Sequence, residues 1–162
     1  MATFGATIGP WWGLVGFSLM MLEAIIRLSS HVSDGLTDPE GSTLLLYALS
    51  AGGMMYLEGY RGFQKRFSPR FAQRAMHIRA EPTLARVLGA PLYCMALFDA
   101  PRRRVIASWM LVAMIVILIV VVRQLEEPWR GTVDAGVVAG LSYGLTATLY
   151  FTLRALLAGR IK

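Results

Sequence analysis

The chain has one cysteine, two histidines and, against fourteen arginines, only two lysines. A single thiol, Cys94, excludes an intramolecular disulfide and any cysteine cluster around a metal within one copy. His31 and His77 are the only imidazoles, and the topology derived below sets them on opposite sides of a membrane, so no metal site is expected within one chain. Neither G-x-S-x-G nor H-E-x-x-H occurs, nor a phosphate-binding glycine loop, a repeated Asp cluster for Mg²⁺, a nucleic-acid motif or a low-complexity tract. These absences point away from an enzyme and from nucleic-acid partners, and they leave the identity of any cofactor open.

What the chain does have is apolar surface. It is 56% hydrophobic with a mean hydropathy of +0.53, more than one water-soluble domain of 162 residues can bury, so the surplus has to face lipid. Four uncharged runs stand out. Residues 2–22 carry no acidic or basic side chain, with Pro10 placed for a helix start and Trp11 and Trp12 for an interfacial anchor. The first basic residue is Arg27, so the N-terminus lacks the positive region of a cleavable signal and reads as a first span, about 8–28. Residues 41–57 are uncharged between Glu40 and Glu58, and a second span is expected at 42–60. The unbroken run 105–122, rich in Val and Ile, is a third, and 135–154 is a fourth, with Asp134 as its expected N-cap. The expectation is an all-α polytopic integral membrane protein, 1–162 as one membrane domain with four transmembrane helices.

The segment 87–98 contains Gly89 and Pro91 and has the length of an interfacial or re-entrant piece. Charge counting argues against a fifth span. With four spans and cytoplasmic N- and C-termini, thirteen Lys and Arg lie inside and only Arg27, Arg123 and Arg130 outside. The excess of Arg over Lys suggests a GC-rich bacterial genome, and with the helical spans a cell inner membrane is expected. Acidic residues collect on the other side: Glu23, Asp34, Asp38, Glu40, Glu126, Glu127 and Asp134.

Between the second and third spans, 62–104 reads as a basic amphipathic or re-entrant cytoplasmic hairpin. Ser68 and Pro69 suggest the cap and first residue of a short helix that Pro82 limits. On it Phe71, Ala75 and Ile78 form an apolar stripe, led in by Phe63 and Phe67 at the same spacing, which is expected to sink into the headgroup boundary. Arg66, Arg70, Arg74, Arg79, Arg102, Arg103 and Arg104 are then candidates to hold anionic headgroups, at about 1 kcal/mol each near an anionic leaflet. The plainer alternative is that they only fix topology. Asp99 is expected to cap the third span.

Helices in lipid associate through small residues that let backbones approach. Gly136, Gly140 and Gly144 recur every four residues on the fourth span; Ala48 with Gly52 on the second and Gly13 with its neighbours Gly9 and Gly16 on the first offer further packing faces. These faces can meet within one chain, between copies or on another protein. The third span has few small residues, so it is expected to face lipid or a partner. Polar candidates are Glu23 with Arg27, spaced for a helical ion pair, and the group Glu58, Tyr60 and Arg61 at the end of the second span, where Glu58 and Arg61 can pair.

Three functions remain in view. The first is an accessory or scaffold subunit of a larger membrane complex, partnered by other membrane subunits or by itself. The second is a small oligomeric ion- or proton-coupled transporter or channel using Glu23 or Glu58. The third is a protein that binds or modifies anionic membrane lipids.

Overall fold

The computed structural model describes residues 2–35, 41–126 and 129–158, so Asp38, Glu40, Glu127, Arg160 and Lys162 lie outside the described residues. The described chain is all-helical, with three helices long and apolar enough to cross a membrane: 5–33, 102–122 and 129–158. Helix α1 (Ala2–Gly35) is about 50 Å long at the usual rise. Helix α2 (Gly41–Met54) runs without a break into a π-helix (Met55–Phe67) and on into α3 (Ser68–Ala80). Two one-turn helices, α4 (Leu84–Leu88) and α5 (Ala90–Cys94), lead to α6 (Arg102–Val122) and α7 (Trp129–Ala158).

The helical rod 41–80 corrects two expectations. The helix does not end at Tyr60, and Ser68 is not a cap: its backbone is helical, and its buried hydroxyl meets Thr148 of α7 at 3.0 Å. The rod continues because Phe63, Phe67 and Phe71 lock it laterally, Phe63 over Gly144 and the other two against Phe17 of α1. Pro69, which has no N–H to give, falls where the ladder changes from i→i+5 back to i→i+4, a step at which donors and carbonyls no longer match one to one. The rod ends at Ala80, two residues before Pro82.

Because α3 continues the rod, its apolar stripe is core and not a membrane-surface face. Phe71, Ala75 and Ile78 are fully buried, forming one cluster with Leu14 and Phe17 of α1 and with Ala90, Tyr93 and Cys94. Contacts along the rod give its direction. Ser50, Met54, Phe63 and Ser68 meet Gly136, Gly140, Gly144 and Thr148 in turn, so rod and α7 are parallel. Phe71, Ile78 and Pro82 meet Phe17, Gly9 and Gly5, so α1 is antiparallel to both. The glycines of α1 admit the short helices: a Cβ at Gly16 would lie 2.5 Å from Pro91, and one at Gly13 would lie 3.2 Å from the Cys94 sulfur.

Residues 87–98 therefore form a packed double turn against α1 and α3. Arg74 fastens it, donating to the carbonyls of Tyr93 (2.5 Å), Phe98 (2.9 Å) and Asp99 (3.1 Å) while lying over the Tyr93 ring. The turn needs such a clamp, since Ala96 and Asp99 both adopt positive φ, a conformation that costs an L-residue about 1–2 kcal/mol. Asp99 does not cap α6; its carboxylate pairs with Arg86 at 2.6 Å. Asp134 is likewise no cap, because α7 starts at Trp129 and carries Asp134 buried in its second turn.

Helix α6 stands apart from this bundle. It hangs from the turn by Ser108 to the Met95 carbonyl and the Trp109 indole to the Leu97 carbonyl. Val122 is its one buried residue, and Ala113 through Val121 are all exposed.

Candidate functional site: the polar face of the π-helix

A helix of i→i+5 hydrogen bonds is rare, and single-turn examples gather at functional positions; here it runs for 13 residues, Met55–Phe67. Its wider turn changes which residues share a face. In an α-helix residues five apart point about 140° away from each other, whereas the wider turn brings them to within roughly 50°, on one face. Arg61 and Arg66 are therefore brought onto one face, with Gly62 beside them and Leu57 a turn above. These four line an open notch of about 200 Å³.

The same geometry separates Glu58 from Arg61. The ion pair expected at that spacing does not form, because the wide turn swings residues three apart away from one another. Glu58 instead lies half-buried along α7, where its Oε2 would be 3.3 Å from a Cβ placed on Gly140. It has no hydrogen-bond or ion-pair partner among the described residues.

The inward side of the π-helix is filled by reciprocal packing with α7. A Cβ on Gly144 would lie 2.5 Å from the Phe63 ring, and one on Gly59 would lie 2.9 Å from Tyr143. Tyr143 also donates its hydroxyl to the Gln64 side-chain oxygen. Gly136 receives Ser50 and Met54. By contrast Ala48 and Gly52 are exposed, and nothing lies within 4 Å of a Cβ on Gly52. Tyr60 is half-buried, stacked with Tyr56 and under the Lys65 ammonium at 4.6 Å.

Depth is the unusual property of this face. Phe63 meets Gly144, the midpoint of the uncharged run 135–153, and Phe67 meets Phe17, beside the midpoint of 8–28. Arg61 and Arg66 are thus level with the middle of the apolar stretches of both neighbours. Each arginine at the centre of a bilayer costs about 2.5–3.5 kcal/mol on insertion scales, and such residues ordinarily face a protein interior, a wet cavity or a counter-charge. Arg61, Arg66 and Arg70 are exposed and make no hydrogen bond, ion pair or ring contact among the described residues.

The remaining candidates are dispersed. Arg74 is committed to the turn, while Arg79 is exposed and donates one N–H to the Leu156 carbonyl near the end of α7. Arg102, Arg103 and Arg104 are exposed in the first turn of α6. Glu23 and Arg27 pair at 2.7 Å on the exposed side of α1. His31 lies 3.1 Å from Arg130, while His77 lies at the other end of the bundle beside Glu81 and Tyr93. No group of three metal-binding side chains occurs among the described residues. Comparison with known proteins adds no assignment. The chain matches no family model, no curated protein and no solved structure at a significant level.

Reasoning from sequence missed the continuity of the rod, although the spacing Phe63, Phe67, Phe71 was its signal. It also missed Arg74 as a clamp, for which a sequence offers no signal, since the three carbonyls it binds lie 19 to 25 residues away.

Proposed function

We propose that the protein is an accessory or scaffold subunit of a larger membrane assembly, attached through α6. The observation that carries this reading is a 21-residue apolar helix whose sides are almost entirely uncovered by its own chain. In a compact four-helix protein such a helix packs against its siblings; one bonded to its own chain only at Ser108 and Trp109, and buried only at Val122, leaves its sides open to another subunit. In this reading the rod is the remaining crossing, completing four spans in a bacterial inner membrane. Both chain ends face the cytoplasm, as the distribution of arginine favours. α2 alone, at 14 residues, is too short to cross, and the π-helix supplies the missing length.

Photo-crosslinking tests it. A photoreactive residue placed in turn at Met114, Ile115, Ile117 and Leu118 should yield a discrete protein adduct from one side of α6 and none from the opposite side. Lipid adducts at every position, together with migration as a lone chain after gentle extraction, refute it.

Glu58 supports a second reading, an ion- or proton-coupled path, because an unpaired carboxylate in a span marks function by default. Proteoliposome flux abolished by Glu58→Gln would establish that reading, and unchanged flux would remove it.

A further inference from the structure

We propose that the notch formed by Leu57, Arg61, Gly62 and Arg66 is the docking site for a membrane helix of another protein, one that carries a carboxylate at mid-depth. This rests on the assembly reading above and names the chemistry of a partner at a place separate from α6.

Four observations lead there. The two guanidinium groups share a face because the π turn brings residues five apart onto one side, and neither has a counter-charge among the described residues. Gly62 leaves backbone uncovered between them: a Cβ there would meet nothing closer than the Leu57 carbonyl at 3.6 Å, the kind of opening through which a second helix approaches. Leu57 gives the notch an apolar wall, as a helix–helix contact requires. The level of the site is that of Gly144 and Phe17, the centre of two apolar helices.

Depth and charge select the occupant. A lipid phosphate sits at the edge of a hydrocarbon layer about 30 Å thick, so some 15 Å separates it from the middle of a span. An arginine side chain extends about 6 Å from its Cα, judged from its bond lengths, which leaves Arg61 well short of that plane. A two-fold dimer of this chain is also excluded as occupant. Rods related by a two-fold axis along the membrane normal would bring Arg61 and Arg66 against their own equivalents at the same depth, like charge on like charge. A carboxylate carried by a foreign membrane helix meets the depth, the sign and the fork geometry of guanidinium recognition together.

The test uses the full-length protein in phosphatidylcholine bilayers, with Ser33→Cys carrying a donor fluorophore; Cys94 is buried and stays unlabelled. The probe is an acceptor-labelled, leucine-rich transmembrane peptide with one central Glu, and the control peptide has Gln in that place. The Glu peptide should associate at least tenfold more tightly than the Gln peptide. Arg61→Gln with Arg66→Gln should abolish the difference. Gly62→Leu keeps both charges and fills the notch, and it should weaken Glu-peptide binding severalfold while the circular dichroism spectrum stays that of the parent. Equal association of the two peptides overturns the proposal, as does full Glu-peptide binding by the double variant. If phosphatidylglycerol displaces the Glu peptide and co-purifies with the parent but not with the double variant, the site takes phosphate and the proposal also fails. None of these outcomes involves α6, so the crosslinking result stands or falls separately.

Discussion

Replacing glycine by alanine at two places in the same bundle should change stability in opposite directions. At Gly144 an added Cβ would lie 2.5 to 2.9 Å from three atoms of the Phe63 ring. That ring cannot retreat freely: its centroid is 5.3 Å from Phe67, which itself packs at a tilt against Phe17 and Phe71. Overpacking of this kind costs about 1–3 kcal/mol. Against it stands the better helix propensity of alanine, about 1 kcal/mol, so Gly144→Ala should be destabilising by up to about 2 kcal/mol net. At Gly52 nothing lies within 4 Å, and Gly52→Ala should gain the propensity alone, up to about 1 kcal/mol. Because the propensity gain is common to both, the two variants should differ by the overpacking cost, about 1–3 kcal/mol, a factor of roughly 5 to 150 in the folding equilibrium. Reversible unfolding in mixed micelles, followed by tryptophan fluorescence and circular dichroism, measures that gap. Equal midpoints, or a more stable Gly144→Ala, would mean that α7 does not pack on the rod through its glycines.

Arg74→Ala should cost about 2–4 kcal/mol and expose the 95–100 turn to protease, because three carbonyls lose a charged donor; Arg74→Lys should recover less than half of that, since an ammonium lacks the fork. Burial pushes the Cys94 thiol up to about 12, with Arg74 only partly opposing it, so alkylation at pH 8 should require unfolding and be at least a hundredfold slower in the native protein. A thiol neutral in the fold but ionisable near 9 when unfolded contributes stability that is complete below about pH 9 and is lost as pH rises toward about 12; Cys94→Ser should flatten the unfolding curve across that window, and an unchanged curve would refute the burial.

Much of the bundle was legible in the residues, for reasons that differ from helix to helix. The run Val105–Val122 has no charge, no proline and no glycine, so nothing competes with a lipid-facing helix there, and its exposure follows from its lack of small residues. The stripe Gly136, Gly140, Gly144 announced a close-packing face but not its partner, because a glycine records only that something approaches. The end of the second helix was not legible, for it continues to Ala80. Arg61, Lys65 and Arg66 look like a cytoplasmic exit to any rule that counts charge, and Ser68–Pro69 looks like a new start. Three phenylalanines outweigh those local signals, since their contacts with α1 and α7 come from residues about 50 to 80 positions away in sequence. Asp99 and Asp134 misled in the same way: each has the side chain of a cap, and each is held by tertiary structure somewhere else.

The π-helix explains why the charged face and the packed face can coexist on one rod. Its larger girth carries bulky groups toward α7, and the two helices accommodate this by exchanging aromatics for glycines, Phe63 into Gly144 and Tyr143 into Gly59. With that side occupied, every arginine of the segment has to point outward, and the same wide turn that fits Phe63 to Gly144 aligns Arg61 with Arg66. Restoring an α-helical ladder by deleting one residue between 60 and 66 would place the two guanidinium groups on a shared side by a different route, at positions four apart. It would also rotate Phe63 or Phe67 out of register with Gly144 and Phe17. The arginine face and the aromatic core are therefore coupled through one backbone geometry, so any group bound by both arginines would also stabilise the π turn that presents them.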